Sequence, residues 1–285
     1  MARTTKERLD KLLVDRGLCQ SRAQAQALIM DGKVQVAGQV INKPGTLVAS
    51  EETAFEISGL QPYVSRGGLK LEKALSVFGV TPQGRDCIDV GASTGGFTDC
   101  LLQNGAAHVT AVDVGYGQLD WKLRQDDRVQ VLEKTNIRNL SPEQLLFPPT
   151  LGVVDTSFIS LKKVLPPLVA LLQPDAEIIT LLKPQFEHRD YLDSAGFKGV
   201  VRGMAQHEMI LAGVTRDLFA LLPDWQLAEL DFSPITGPKG NIEFLMHWTR
   251  GLTLDCPTLL SDNSEALLAK IRETITKSYA DHGEK

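Results

Sequence analysis

Three glycines within six residues, Gly91, Gly95 and Gly96, follow a short apolar run, Cys87-Ile88-Asp89-Val90, and a helical pattern then runs from Phe97 to Gln103. A strand that ends in such a turn brings its backbone close to whatever lies at its carboxyl end. Glycine adopts left-handed backbone cheaply and has no side chain to hold a neighbour off. A strand of this kind needs a sheet, and the chain supplies one. Strand patterns recur at 86–90, 108–112, 129–132, 151–154 and 177–182, with helical or mixed segments between them. This alternation predicts an α/β, Rossmann-like domain, with a mostly parallel sheet, helices on both faces and ligands at the carboxyl edge.

The glycine spacing narrows the ligand. A dinucleotide fingerprint reads G-x-G-x-x-G, and its second glycine lets a pyrophosphate approach. Here Ser93 stands at that position, and the loop lacks the Lys-Ser/Thr ending of a P-loop. A ligand without phosphates fits better. Asp89 is placed to accept from an ammonium group, Gly95 and Gly96 leave room for an amino-acid moiety, and Asp113 is spaced to accept from ribose hydroxyls. The combination favours S-adenosylmethionine over a nicotinamide dinucleotide. Its expected contacts are Asp89, Gly91, Ser93, Thr94, Gly95, Gly96, Phe97 and Asp113, with Thr135 and Asn136 near the adenine.

The first 60 residues read differently. Leu9, Leu12 and Leu13 mark one helix, stopped near Gly17, and Ser21 caps a second that carries Ala25, Leu28 and Ile29 and ends at Gly32. Short strands follow around Gly38. The chain carries a net charge of −5, yet residues 1–45 hold eight Lys/Arg against four acids. One end is therefore suited to a polyanion. The stretch RLDKLLVDRGLCQSRAQAQALIMDGKVQVAGQVINKPG resembles the S4-like RNA-binding module, which implies structured RNA as a partner. Arg3, Lys6, Arg8, Lys11 and Arg22 are its expected RNA contacts, joined by Arg66. The resulting division is an α+β RNA-binding domain at 1–60, a linker at 61–66 and the α/β domain at 67–285.

Four scattered cysteines, Cys19, Cys87, Cys100 and Cys256, form no C-x-x-C pair, so neither a disulfide frame nor a metal site is expected. The longest stretch free of Asp, Glu, Lys and Arg, from Cys100 to Val112, has 13 residues, too short to span a bilayer. The start lacks the apolar run of a signal peptide, and a cytoplasmic location is expected.

Four charged residues stand in local contexts that suit a site: Lys70 in SRGGLKL, Asp155 in VVDTSFISL, Lys183 in LLKPQFE and Glu243 within a predicted strand in GNIEFL. Their order and contexts resemble the Lys-Asp-Lys-Glu tetrad of FtsJ-like ribose 2′-O-methyltransferases. With the S4-like module in front, the whole chain resembles the TlyA family, also labelled hemolysin. That resemblance implies 2′-O-methylation of cytidines in ribosomal RNA, of the large subunit and often the small one. The family's linker often carries a tryptophan before VSRG, where this chain has Pro62-Tyr63. Lys183 is the expected base, Lys70 its neighbouring cation and an orienting donor, and Asp155 and Glu243 the groups that hold the lysines. Two other readings compete: a pore-forming hemolysin and a non-catalytic RNA-binding assembly factor. Nothing in the sequence sets the oligomeric state.

Overall fold

The computed structural model describes residues 5–19, 21–59, 62–193, 196–250 and 265–283, and divides into two compact units, Met1–Gln61 and Pro62–Lys285. Arg3 and Cys256 lie outside the described residues.

In the N-terminal unit, β1 (Lys6–Arg8) leads into α1 (Leu9–Asp15), and α2 (Arg22–Met30) follows. Ser21 Oγ accepts from the backbone N–H of Gln24 and satisfies one orphan donor of α2, as its position predicts. The remaining strands are β2 (Val34–Val36), β3 (Gln39–Ile41), β4 (Leu47–Ala49) and β5 (Phe55–Ile57). The β2–β3 hairpin turns at Ala37-Gly38, both with left-handed backbone, which matches the twist of the paired strands. Leu9, Leu12, Leu13, Ala25, Ile29 and Val34 close the core.

The second unit begins with α3 (Gly67–Phe78), β6 (Asp86–Val90), α4 (Gly96–Gln103), β7 (His108–Val112), α5 (Trp121–Arg124) and β8 (Val129–Leu132). It continues with β9 (Leu151–Val154), α6 (Leu161–Val169), β10 (Glu177–Leu182), α7 (Pro184–Glu187) and α8 (Met204–Leu221), then β11 (Trp225–Phe232), β12 (Phe244–Arg250) and α9 (Glu265–His282). The five strands expected from the sequence, β6 to β10, have the expected bounds. The β11 end of the sheet differs from the expectation: β11 has no counterpart among the predicted strands, and β12 starts at Phe244, so Glu243 stands one residue before the strand rather than within it.

The sheet order is β11-β12-β10-β9-β6-β7-β8, with β12 antiparallel to both of its neighbours and the other pairs parallel. Each strand face is apolar: Ile178 and Leu182 of β10 pack toward α6 and α8, and Ile179 and Leu181 toward α3 and α4. Strand order reverses between β6 and β9. That reversal opens a crevice outside their carboxyl ends, where an open α/β sheet binds ligands.

Residues 62–66, expected as linker, pack on this second unit. Tyr63 is buried and donates to Glu72, Val64 N–H donates to Asp99, and a side chain on Gly68 would overlap the Tyr63 ring. Tyr63 thus supplies the aromatic anchor of this segment.

Candidate active site

Two adjoining cavities occupy the crevice. One, of about 370 Å³, is walled by Val90, Asp113, Gln118, Thr135, Asn136 and Ile137. The other, of about 280 Å³, is walled by Arg66, Lys70, Thr94, Phe97, Lys183 and Gly237. Gly91, Ser93, Asp155 and Ser157 line both.

The glycine loop forms the partition between them. Gly91 has a left-handed backbone, and a Cβ there would stand 2.6 Å from the Asp155 carbonyl oxygen, so glycine is what lets β6 and the end of β9 approach. Ser93 is also left-handed, held by its N–H to Asp113 Oδ2 at 2.8 Å. Asp113 Oδ1 accepts from Gly115 N–H at 2.6 Å. Each of these oxygens keeps a further lone pair for a hydroxyl. Asn136 caps the short turn at Ile137–Asn139, and Thr135 donates its hydroxyl to the Glu133 carbonyl.

On the side where a Cβ would project, the space at Gly95 and Gly96 is filled by protein. A Cβ on Gly95 would run into Leu123 and Leu119, and one on Gly96 into Ser65 and the Gly68 backbone. Gly96 still lines the cavity, while Gly95 serves packing. Asp89 lies beneath the loop, fully buried, and lines neither cavity. Its Oδ2 accepts from the Thr98 hydroxyl at 2.7 Å, and its Oδ1 has no hydrogen-bond donor among the described residues. Burial pushes this carboxyl up to about 7, with the Asp155 and Asp113 charges adding to the rise and the Thr98 hydrogen bonds opposing it.

The four charged residues converge, although Lys70 and Glu243 are 173 residues apart. Lys70 Nζ donates to Glu243 Oε2 at 2.6 Å and lies 3.9 Å from Asp155 Oδ2. Lys183 Nζ lies 2.5 Å from Asp155 Oδ1 and donates to Ser157 Oγ at 3.0 Å. Both lysine side chains are 10% exposed and Glu243 is 1% exposed, so these charges are held by one another and not by bulk water. Glu243 Oε1 sits where a side chain on residue 237 would stand, which makes Gly237 part of the arrangement. One aromatic at the rim escaped the sequence reading. Phe158 is left-handed and 89% exposed, and it leans on Phe186 with ring centroids 4.8 Å apart. A large apolar side chain left in water on a strained backbone beside charged groups is its only signal.

A model of the FtsJ-like methyltransferases matches residues 63–250, which is most of the chain and contains all four charged residues. The chain belongs to the FtsJ-like methyltransferase family. An S4 domain model matches residues 7–53, so this FtsJ-like enzyme carries an S4 domain ahead of its methyltransferase domain. Among its relatives is the 16S/23S rRNA (cytidine-2′-O)-methyltransferase TlyA of Mycobacterium tuberculosis, 46% identical over 86% of this chain and 90% of the relative. Hemolysin A of Brachyspira hyodysenteriae is 38% identical over 85% of this chain and 99% of the relative. The solved structure of a hemolysin-named protein from Streptococcus thermophilus superposes with a TM-score of 0.69 at 41% identity, covering 98% of this chain and 97% of that one.

The S4 domain of this FtsJ-like enzyme has its own charged centre. Asp10, fully buried, accepts from Arg8 at 2.9 Å, Arg22 at 3.0 Å and Gln26 at 2.8 Å. The Arg8 hydrogen bond leads in holding this carboxyl well below the usual carboxylate range, with Gln26 and Arg22 helping against the cost of burial. Arg8 and Arg22, at opposite helix starts, are thereby gathered. Lys11 is not gathered with them, since it lies between Glu7 of β1 and Asp15 at the end of α1. Lys6 sits in β1, and Arg66 stands exposed on the wall of the smaller cavity. Among the described residues no helix is long and apolar enough to cross a membrane.

Proposed function

We propose that this chain transfers a methyl group from S-adenosylmethionine to a ribose 2′-hydroxyl of ribosomal RNA, on cytidines of the large subunit and, as the Mycobacterium relative is named for both, of the small one. The observation that carries this reading is the Asp155 carboxylate set between Lys70 and Lys183, on the wall shared by two cavities.

The larger cavity fits the adenosine half of the cofactor. Asp113 takes the ribose hydroxyls, Asn136 and Thr135 border the adenine, and Val90 and Ile137 supply apolar contact. Gly91, Ser93, Thr94, Gly96 and Phe97 carry the methionine half toward the smaller cavity, with the buried Asp89 carboxyl beneath the loop. When bound, S-adenosylmethionine supplies an electrophilic methyl carbon on a sulfonium.

The protein's part is alignment and proton removal. A ribose hydroxyl is a poor nucleophile, and its proton must leave as its oxygen attacks. Lys183 takes that proton at Nζ as general base. Lys70, fixed by Glu243 and Asp155, donates to the hydroxyl oxygen and orients it. Asp155 holds both lysines on one side of the reacting oxygen, and most of the rate gain comes from that fixed geometry. Phe158 offers its face to the base of the acceptor nucleotide. Arg8 and Arg22 of the S4 domain, with Lys6 and Arg66, bind phosphates of the structured RNA.

The test is to incubate the purified protein with labelled S-adenosylmethionine and ribosomal RNA and to map the product. Label on a cytidine 2′-oxygen supports the proposal; label on a base, or none with rRNA of either subunit, refutes it.

A further inference from the structure

Lys183 has two partners on the wall at the end of β9, and only one of them is charged. Ser157 Oγ accepts from Lys183 Nζ at 3.0 Å, while Asp155 Oδ1 lies 2.5 Å away on the same turn of chain. Ser157 lines both cavities, so its hydroxyl stands where the methyl donor and the acceptor meet.

The turn that carries Ser157 is fixed by its surroundings. Asp155 N–H donates to the Val90 carbonyl, Thr156 closes on Gly91, and the next residue, Phe158, holds a left-handed backbone. The Phe158 ring rests on Phe186, three residues beyond Lys183. Segments 155–158 and 183–186 are therefore joined twice, by ring contact and by the lysine's polar contacts. Ser157 is exposed, yet its oxygen is held in this frame and accepts from Lys183 at a defined place.

We infer that Ser157 is a positioning residue for the proton transfer: its oxygen accepts one N–H of the Lys183 amine, beside the Asp155 carboxylate, and so turns the amine's lone pair toward the ribose hydroxyl. This inference rests on the reading of Lys183 as base. A neutral amine has two N–H bonds and one lone pair, arranged tetrahedrally. With only the Asp155 charge beside it, the amine rotates about its Cε–Nζ bond and its lone pair aims at the hydroxyl part of the time. A hydrogen-bond acceptor at a fixed place removes that freedom. In the step itself the hydroxyl O–H bond breaks and its proton joins the Lys183 lone pair. A bond forms from that oxygen to the methyl carbon, and the C–S electron pair returns to sulfur. The ammonium so formed keeps both partners and loses its new proton to water.

The test compares Ser157→Ala, Ser157→Thr and Lys183→Ala in the full-length protein, with kcat and KM for rRNA, cofactor affinity by calorimetry, and thermal melting. Ser157→Ala is expected to lower kcat by about 10- to 100-fold, with KM, cofactor affinity and melting unchanged within about twofold or a degree or two. Ser157→Thr, which keeps the hydroxyl, is expected to recover most of kcat. A Ser157→Ala variant at wild-type kcat, beside an inactive Lys183→Ala, overturns the role of Ser157 and leaves Lys183 as base. Loss of Ser157→Ala activity through KM or cofactor affinity alone overturns it too. Wild-type turnover by Lys183→Ala overturns the base assignment itself, and the role of Ser157 with it.

Discussion

Each unit of this molecule sets one aspartate among two cations, and the two settings differ in what surrounds the cations. Asp10 is buried, while the Arg8 and Arg22 side chains are 50% and 55% exposed. Asp155 is 19% exposed, and its lysines, Lys70 and Lys183, are 10% exposed each. In the first case the carboxylate is the hidden part, and two guanidinium groups are presented to solvent. Arginine stays charged throughout the working pH range and offers a planar fork, which suits phosphate recognition. In the second case the cations are the hidden part. A lysine carries a compact, mobile head on a flexible stem, and one walled into a cavity by carboxylates has its nitrogen at a fixed place. The same pair of charges thus suits binding where the cation faces outward and proton transfer where it faces a cavity.

Removing the charge at each centre separates the two uses. Asp155→Asn is expected to lower single-turnover methylation by about 10²- to 10⁴-fold, because both lysines lose the group that places them, while RNA affinity stays near wild type. A filter-binding assay beside the rate measurement checks it. Equal loss of affinity and rate would mean that Asp155 serves binding as Asp10 does.

A third carboxylate, Asp89, shows burial without a cation. Its carboxyl, at about 7, stays protonated in the folded protein over a pH range where the unfolded chain has already released that proton, above the ordinary 3.8. Stability is therefore expected to be greatest below about pH 4 for this group and to fall as pH rises through about 7, by roughly 2–4 kcal/mol. Denaturant titrations at several pH values check this. Asp89→Asn is expected to flatten the profile over that window, and an unchanged profile in the variant would assign the slope to another group.

Asp10→Asn weakens the grip on Arg8 and Arg22 without opening a cavity. It is expected to reduce rRNA affinity by about 3- to 10-fold and to leave kcat at saturating rRNA unchanged. Affinities measured across a salt series check it, and a fall in kcat would show that this centre also acts on the reaction.

Much of this was legible in the sequence because it is local. Short, nearly continuous apolar runs alternating with helical patterns located β6 to β10, and Ser21 and the glycines near residues 32 and 38 marked the ends and turns of the S4 domain. The convergence of Lys70, Asp155, Lys183 and Glu243 depends on strand order and on the antiparallel return of β12, which no short pattern records; their identity came from resemblance. Asp10 reads as a solvated helix residue, yet it shares the buried face with Leu9, Leu12 and Leu13 because three donors meet it there. The packing against Gly95 and Gly96 is illegible for the same reason. The Leu119, Leu123 and Ser65 side chains that form it come from elsewhere in the chain. Ser157 gives no signal at all, since serine is common in turns.

The most direct test of the central claim is the single-turnover methylation rate of Lys183→Ala on ribosomal RNA, measured with cofactor and RNA both shown to be bound. The account predicts a loss of at least about 10²-fold in rate with both affinities near wild type. A wild-type rate in that variant would contradict it.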